Sequence, residues 1–239
     1  MDNEAKRFVS KGQCVYCAQT IAKSGMTRHL KACKSRKAAI EAEAPAGRSK
    51  PKTLLHLTVT GRYEIDYWMH LEVDASKKLR DLDQFLRDIW LECCGHLSRF
   101  TIDGQGYSIY PMEDFDEEDL SARLSDVLQP GMVFEHEYDY GSTTELVLKV
   151  MGAREGILKK GWLTIMARND PPPILCGLCQ KKLATVICPV HSYSPEGWLC
   201  DDCAPRHEQV CPDFSDEFSL PVVNSPRTGV CGYTGPIHD

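Results

Sequence analysis

Eight residues between Cys176 and Cys211 fall into four couplets suited to a metal: Cys176/Cys179, Cys188/His191, Cys200/Cys203 and His207/Cys211. Their spacing is C-x2-C-x8-C-x2-H-x8-C-x2-C-x3-H-x3-C. Structural zinc takes four nitrogen or sulfur ligands in a tetrahedron and leaves no position open, so eight ligands make two sites with none left over. In cross-braced modules the first and third couplets share an ion, as do the second and fourth. That pairing puts Cys176, Cys179, Cys200 and Cys203 on one zinc and Cys188, His191, His207 and Cys211 on the other. The alternative is that only the four-cysteine set binds.

A third site is predicted near the start of the chain. Cys14, Cys17, His29 and Cys33 have the spacing of a small ββα finger with cysteine in the last position. Ser24 is a candidate N-cap for a helix over Gly25 to Arg36. On that helix His29 and Cys33 lie one turn apart, within reach of one ion. Ile21, Met26 and Leu30 would cover the metal from one side. The expected cofactor is therefore Zn²⁺ at three sites.

Of the twelve cysteines, these sites use nine. Cys93, Cys94 and Cys231 remain, and Cys231 reads as a free thiol. Cysteine couplets mixed with histidine, without a secretory h-region after Met1, point to metal sites in a reducing compartment, not to a disulfide framework. No apolar run approaches the roughly 20 residues that a spanning helix needs. The expectation is a cytoplasmic protein with no membrane partner.

These ligands must be positioned by separate elements. Composition divides the 239 residues into a finger (1–40), a linker (41–52), an α+β domain (53–168), a two-zinc cross-braced module (172–215) and an irregular tail (216–239). Formal charge is +8 over 1–52, −9 over 53–168 and −5 over 169–239. Such asymmetry suggests an anionic partner for the basic part; the alternative is a solvated Lys/Arg helix face. Residues 41–52 mix Pro, Gly and Ser with no apolar period, which predicts a finger that moves independently of the rest.

Within 53–168, Thr53 to Val59 reads as a strand. Tyr63, Ile65, Tyr67, Met69, Leu71 and Val73 alternate with polar neighbours as a strand with one buried face. Leu79, Leu82, Phe85, Leu86, Ile89, Trp90 and Cys93 recur at helical spacing up to Gly95. Strands are expected on either side of Gly104-Gln105-Gly106. An acidic run from Glu113 to Asp119 leads to a short helix ended by Pro130-Gly131. Three further strands follow, through Met132 to Tyr140, Glu145 to Met151 and Trp162 to Ala167. The predicted class is α+β, with helices on a mostly antiparallel sheet.

Several segments carry a likeness: the paired strands ending at Leu71-Glu72-Val73, the helix from Leu79, the segment His96-Leu97-Ser98-Arg99-Phe100, and the stretch from Phe134 to Ser142. Together they resemble the plasmid pRiA4b ORF-three-like family over roughly residues 53–152. That family typically reads tyrosine-aspartate-phenylalanine-glycine-aspartate where this chain has Tyr138, Asp139, Tyr140, Gly141 and Ser142. The resemblance implies a small α+β domain, also seen as a passenger of insertion elements, and carries no established reaction.

Catalysis is not expected. On one strand His136 and Tyr138 face one side and Asp139 the other, whereas acid–base work needs groups converging on one proton. The acidic run lacks the spacing and the turn glycine of a calcium loop. Cys93-Cys94-Gly95-His96 reads as a core cysteine at a helix end followed by a glycine cap. The expected function is a zinc-binding adaptor with an unidentified protein partner, associated with mobile genetic elements. The alternative is weak nucleic-acid binding by the finger through Lys23, Thr27, Arg28 and Lys31, as fingers lay a basic helix in the major groove. Trp198, just before Cys200, is predicted to pack on the metal core or to anchor a partner.

Overall fold

The structure, a computed structural model, describes residues 8–43, 50–111 and 116–236. In chain order its main elements begin with β1 (Lys11–Cys14), β2 (Thr20–Ala22), α1 (Lys23–Ala32), α2 (Lys34–Glu41), β3 (Lys52–Gly61) and β4 (Trp68–Asp74). Then come α3 (Leu79–Leu86) with a π turn (Arg87–Leu91), β5 (Ser98–Ile102), β6 (Gln105–Ser108), β7 (Glu118–Asp119), α4 (Leu124–Val127), β8 (Val133–Tyr138), β9 (Thr144–Gly156) and β10 (Leu163–Asn169). The last are β11 (Val186–Ile187), β12 (Trp198–Leu199), α5 (Ala204–Glu208) and β13 (Leu220–Pro221). The class is α+β with a mostly antiparallel sheet. Residues 44–49 of the expected linker and Glu113–Phe115 of the acidic run fall outside the described residues.

The chain forms two compact units: 1–79 with 121–135 and 146–170, and 80–120 with 136–145 and 171–239. In the first unit the strand order is β2-β1-β10-β4-β3-β9, every neighbouring pair antiparallel. The finger is therefore not an independent body. β1 pairs with β10 with Gly12 opposite Asn169, and a Cβ on Gly12 would lie 2.0 Å from the Arg168 carbonyl oxygen. Only glycine permits that approach. Met26 and Leu30 of α1 share one buried cluster with Cys14, Cys33, Trp68, Met166 and Ala167, so they cover the sheet as well as the candidate ligands.

This docking explains a departure from the sequence pattern. The strand expected from Tyr63 begins only at Trp68, and all seven residues of β4 are buried. Tyr63 and Ile65 lie in the preceding turn, exposed, which the Gly61 amide closes on the Tyr67 carbonyl. Met69, Leu71 and Val73 make the apolar face. Trp68, His70 and Glu72 point the other way, and the finger buries that polar face. Arg36 of α2 reaches Glu72 at 2.7 Å and Arg154 of β9 reaches it at 2.6 Å. Burial pushes the Glu72 carboxyl up, but these two guanidinium groups outweigh it and hold it below its usual range. An alternating sequence cannot distinguish solvent from a buried ion-pair network.

In the second unit β5 and β6 pair across a two-residue turn, Asp103-Gly104. Both turn residues have left-handed φ, 50° and 83°, as a primed hairpin turn requires. β7 adds parallel to β6. The helix expected to run to Gly95 stops earlier: α3 passes into the π turn, closed by the Glu92 amide on the Arg87 carbonyl at 2.8 Å. Cys93 and Cys94 follow in a bend, outside the helix. The C-terminal module holds a three-stranded sheet, β12-β11-β13, whose third strand comes from the segment expected to be irregular. Ser225, Arg227 and Tyr233 beyond it are completely buried.

Candidate metal centres

Among the described residues, four groups of side chains bring four ligand atoms within 4.8 Å of one another: Cys14/Cys17/His29/Cys33, Cys176/Cys179/Cys200/Cys203, Cys188/His191/His207/Cys211 and Cys93/Cys94/His96/Cys231. The first three are the quartets expected from spacing, with the first couplet meeting the third and the second meeting the fourth in the C-terminal module.

The finger and the four-cysteine site share one local device. In each, the residue after the second cysteine is left-handed, Ala18 at φ 58° and Gln180 at φ 54°. Its amide bonds back to the first cysteine's carbonyl at 2.8 and 2.9 Å respectively. The loop so formed turns both thiols of a C-x2-C couplet the same way. Cys17 Sγ lies 3.4 Å from His29 Nε2.

The helix expected over Gly25 to Arg36 is broken at Cys33, whose ψ of 116° is not helical. Ser24 is not its cap; α1 starts directly after β2, with Ala22 at the N-cap. The break places Cys33 at the N-terminus of α2. There burial pushes its thiol up, while the Arg36 and Ser35 amides and the neighbouring thiols pull it below its usual value. A helix N-terminus favours an anion, which suits Cys33 to the thiolate form that a metal ion takes.

In the cross-braced module Cys179 Sγ and Cys200 Sγ are 3.9 Å apart, as are Cys188 Sγ and Cys211 Sγ. A tetrahedron with Zn–S bonds of 2.3 Å has edges of about 3.8 Å, so the donors sit at the spacing zinc would impose. His191 Nδ1 lies 3.4 and 3.7 Å from the Cys188 and Cys211 sulfurs. The His207 ring stands edge-on to Phe214, and its Nε2 is buried without a hydrogen-bond partner. Burial costs such a nitrogen free energy unless a donor or a metal engages it. Cys203 is pushed up to about 12, by burial and then by hydrogen bonds with Cys200, Cys176 and Cys179. Thiols this close resist joint ionisation until a cation is among them. All twelve cysteines are free of disulfides.

The fourth cluster was not legible from spacing, because Cys231 lies 135 residues from His96, with Nε2 and Sγ 3.3 Å apart. The signal that could have found it is the pairing of three unassigned thiols with an unassigned histidine.

The remaining candidates are placed as follows. His136 is fully buried and bonds Asp83 at 2.7 Å, Tyr138 donates to Glu92 at 3.0 Å, and Asp139 accepts from Arg227 at 2.6 Å. The three therefore have three separate partners. Leu199 lies in the module's metal-side core. Trp198 is half-buried, donates to the Ser192 carbonyl at 3.0 Å and packs over Gly229. On α1, Arg28 and Lys31 are exposed and Thr27 is half-buried. Lys23 donates to the Ile65 carbonyl at 2.6 Å, and burial lowers its pKa, only partly offset by Asp66. Among the described residues no helix is long and apolar enough to cross a membrane.

No family model matches the chain, and no curated protein matches it. A solved structure of a protein of unknown function from Methanosarcina mazei Go1 aligns over 50% of this chain and 71% of its own length, at 14% identity and a TM-score of 0.45.

Proposed function

We propose that the protein is a zinc-binding adaptor whose metal ions are structural and whose C-terminal module docks a protein partner. Each of the three spacing-derived quartets offers four donors of the types structural zinc takes, and a filled tetrahedron leaves no position for substrate. The observation that carries the docking reading is apolar exposure beside the first couplet of the module. Leu175 and Leu183 face each other across an antiparallel bridge and are 47% and 54% exposed, with Leu178 at 43% inside the same knuckle. Cross-strand partners lie on one face, and exposed apolar groups held on a rigid frame are typical contact sites.

The free thiols suit a reducing compartment, and we place the protein in the cytoplasm. The resemblance of residues 53–152 to the pRiA4b ORF-three-like family supports an association with mobile genetic elements. The second reading, nucleic-acid binding by the finger, is favoured by the exposure of Arg28 and Lys31. It is weakened at Lys23, whose ammonium is engaged by a carbonyl, and at Arg36, which is paired with Glu72.

Tagged full-length protein should recover a discrete protein from native cells, and Leu178→Lys with Leu183→Lys should abolish that recovery while leaving zinc content unchanged. Recovery of salt-sensitive nucleic acid, with no protein lost on those substitutions, would replace this reading by the second.

A further inference from the structure

The loop after the π turn is held with unusual care for a segment with no assigned role. Tyr138 Oη accepts from the Cys93 amide at 3.4 Å and the His96 amide at 3.3 Å, while Glu92 Oε1 accepts from the Gly95 amide at 2.5 Å and from Tyr138 Oη at 3.0 Å. Along an extended strand two adjacent cysteines would point to opposite faces. Here there is a bend at Cys93 and Cys94, followed by Gly95 at φ 73°, and the ligand atoms of Cys93, Cys94 and His96 lie within 4.8 Å of one another. The π turn just upstream is a helix irregularity often found at functional sites.

The fourth donor comes from the C-terminal loop. Cys231 has φ 49°, a left-handed conformation that costs a non-glycine residue free energy and persists where something else requires it. Its sulfur faces His96 Nε2, and the Cys94 thiol lies 3.9 Å from its carbonyl oxygen. The loop is anchored on the same side by Trp90 Nε1 donating to the Asn224 carbonyl and by Ser225 Oγ donating to the Trp90 carbonyl. Outer contacts surround the cluster: the Arg227 guanidinium donates to Cys93 Sγ at 3.4 Å and to Asp139, and Asp139 Oδ2 lies 3.6 Å from His96 Nε2, the nitrogen that faces Cys231. Hydrogen bonds of this kind to a ligand atom help to fix its orientation.

We propose that Cys93, Cys94, His96 and Cys231 bind a fourth zinc ion, which clips the C-terminal loop to the segment following the π turn. Three thiolates and one imidazole form the same donor set as the finger and suit zinc over hard cations. Cys94 and Cys231 are exposed, whereas most cysteine ligands of the other quartets are buried, so this ion is the one most accessible to a chelator. The proposal shares only the identity of the metal with the reading of the other three quartets.

The test is zinc per chain, by elemental analysis of full-length protein purified with reductant and without chelator. Cys231→Ser and Cys94→Ser should each hold one zinc fewer than wild type and remain folded by circular dichroism. Unchanged zinc in either folded variant overturns the site. A wild-type count below four that still drops by one places the fault in another quartet and leaves this one standing. Should both variants fail to fold, alkylation of the wild type decides. Cys94 and Cys231 should resist iodoacetamide until limiting chelator is added, and then be the first thiols modified. Reaction at the rate of free cysteine in zinc-loaded protein, or a Cys94–Cys231 disulfide in protein kept reduced, overturns the proposal.

Discussion

Arg227 and Asp139, 88 positions apart, form a buried ion pair at 2.6 Å that holds the C-terminal loop in place. The guanidinium is completely buried. It also donates to the Ser142 carbonyl and to Thr144 Oγ1, both at 3.0 Å, and stacks over the Tyr138 ring at 4.8 Å. Asp139 is the left-handed residue of the turn, and its other oxygen accepts from the Gly141 amide at 3.0 Å. The stretch from Tyr138 to Ser142 is thus the frame on which the tail and the fourth cysteine cluster are built.

Removing one member of such a pair strands the other charge. Arg227→Met should destabilise the protein by about 3–5 kcal/mol, the usual cost of breaking a buried pair, and adding Asp139→Asn should recover part of that loss. Burial pushes the Asp139 carboxyl up, but Arg227 and the Gly141 and Ser142 amides hold it below its usual range. A depressed carboxylate gives stability that is complete above the unfolded value of about 3.9 and is lost as pH falls through the lower folded value. Urea denaturation in zinc-containing buffer at pH 7 measures the first effect. Equal stability of wild type and Arg227→Met would show that the pair contributes nothing.

His56 and His70, on the polar face that the finger buries, share a hydrogen bond at 2.9 Å. Burial, followed by Arg36 and Lys31, lowers His56 to about 4; burial, followed by His56 and Lys23, lowers His70 to about 3. Both rings are neutral in the folded protein, whereas in the unfolded chain they take up protons below about pH 6.5. The unfolded state then binds more protons, so stability falls with pH from about 6.5 down to the folded values. With both rings contributing, the slope reaches about 2.7 kcal/mol per pH unit. NMR of the ring nitrogens should find both uncharged at pH 5. A ring that titrates near 6.5 in the folded state would remove its share of that slope.

What the sequence revealed and what it concealed divide by distance along the chain. The C-x2-C couplets were legible because each is one local turn, with its left-handed residue at Ala18 or Gln180. The two strands expected on either side of Gly104-Gln105-Gly106 were legible for the same reason, although the turn is Asp103-Gly104 and Gln105 and Gly106 belong to β6. The fourth cluster joins His96 to Cys231, and no local spacing records such a contact. The polar side of β4 read as solvent-facing because His70 and Glu72 are polar. Glu72 is buried against Arg36 and Arg154, and His70 against His56, none of which is near them in sequence. A linker composition between finger and domain suggested independence, but the pairing of β1 with β10 is a long-range event that composition does not encode.

The finger's remaining cations make the nucleic-acid reading testable. Any binding by α1 would rest on Arg28 and Lys31, which are exposed, because Lys23 is held by the Ile65 carbonyl and Arg36 by Glu72. Phosphate contacts give log affinity a slope against log salt of about −0.9 per contact on duplex DNA. If the full-length protein binds DNA through this helix, Arg28→Ala and Lys31→Ala should each flatten the slope by about one unit, whereas Lys23→Ala should leave it unchanged. The negative charge of residues 53–239 opposes approach of a polyanion, so affinity should be weak and without sequence preference, as one finger contacts only about three base pairs. Fluorescence anisotropy with a labelled duplex at low and rising salt makes the measurement. Equal flattening by Lys23→Ala would mean that its bond to Ile65 opens on binding. Absence of binding even at low salt would leave α1 with one role, covering Trp68 and the sheet while it holds His29 against Cys17.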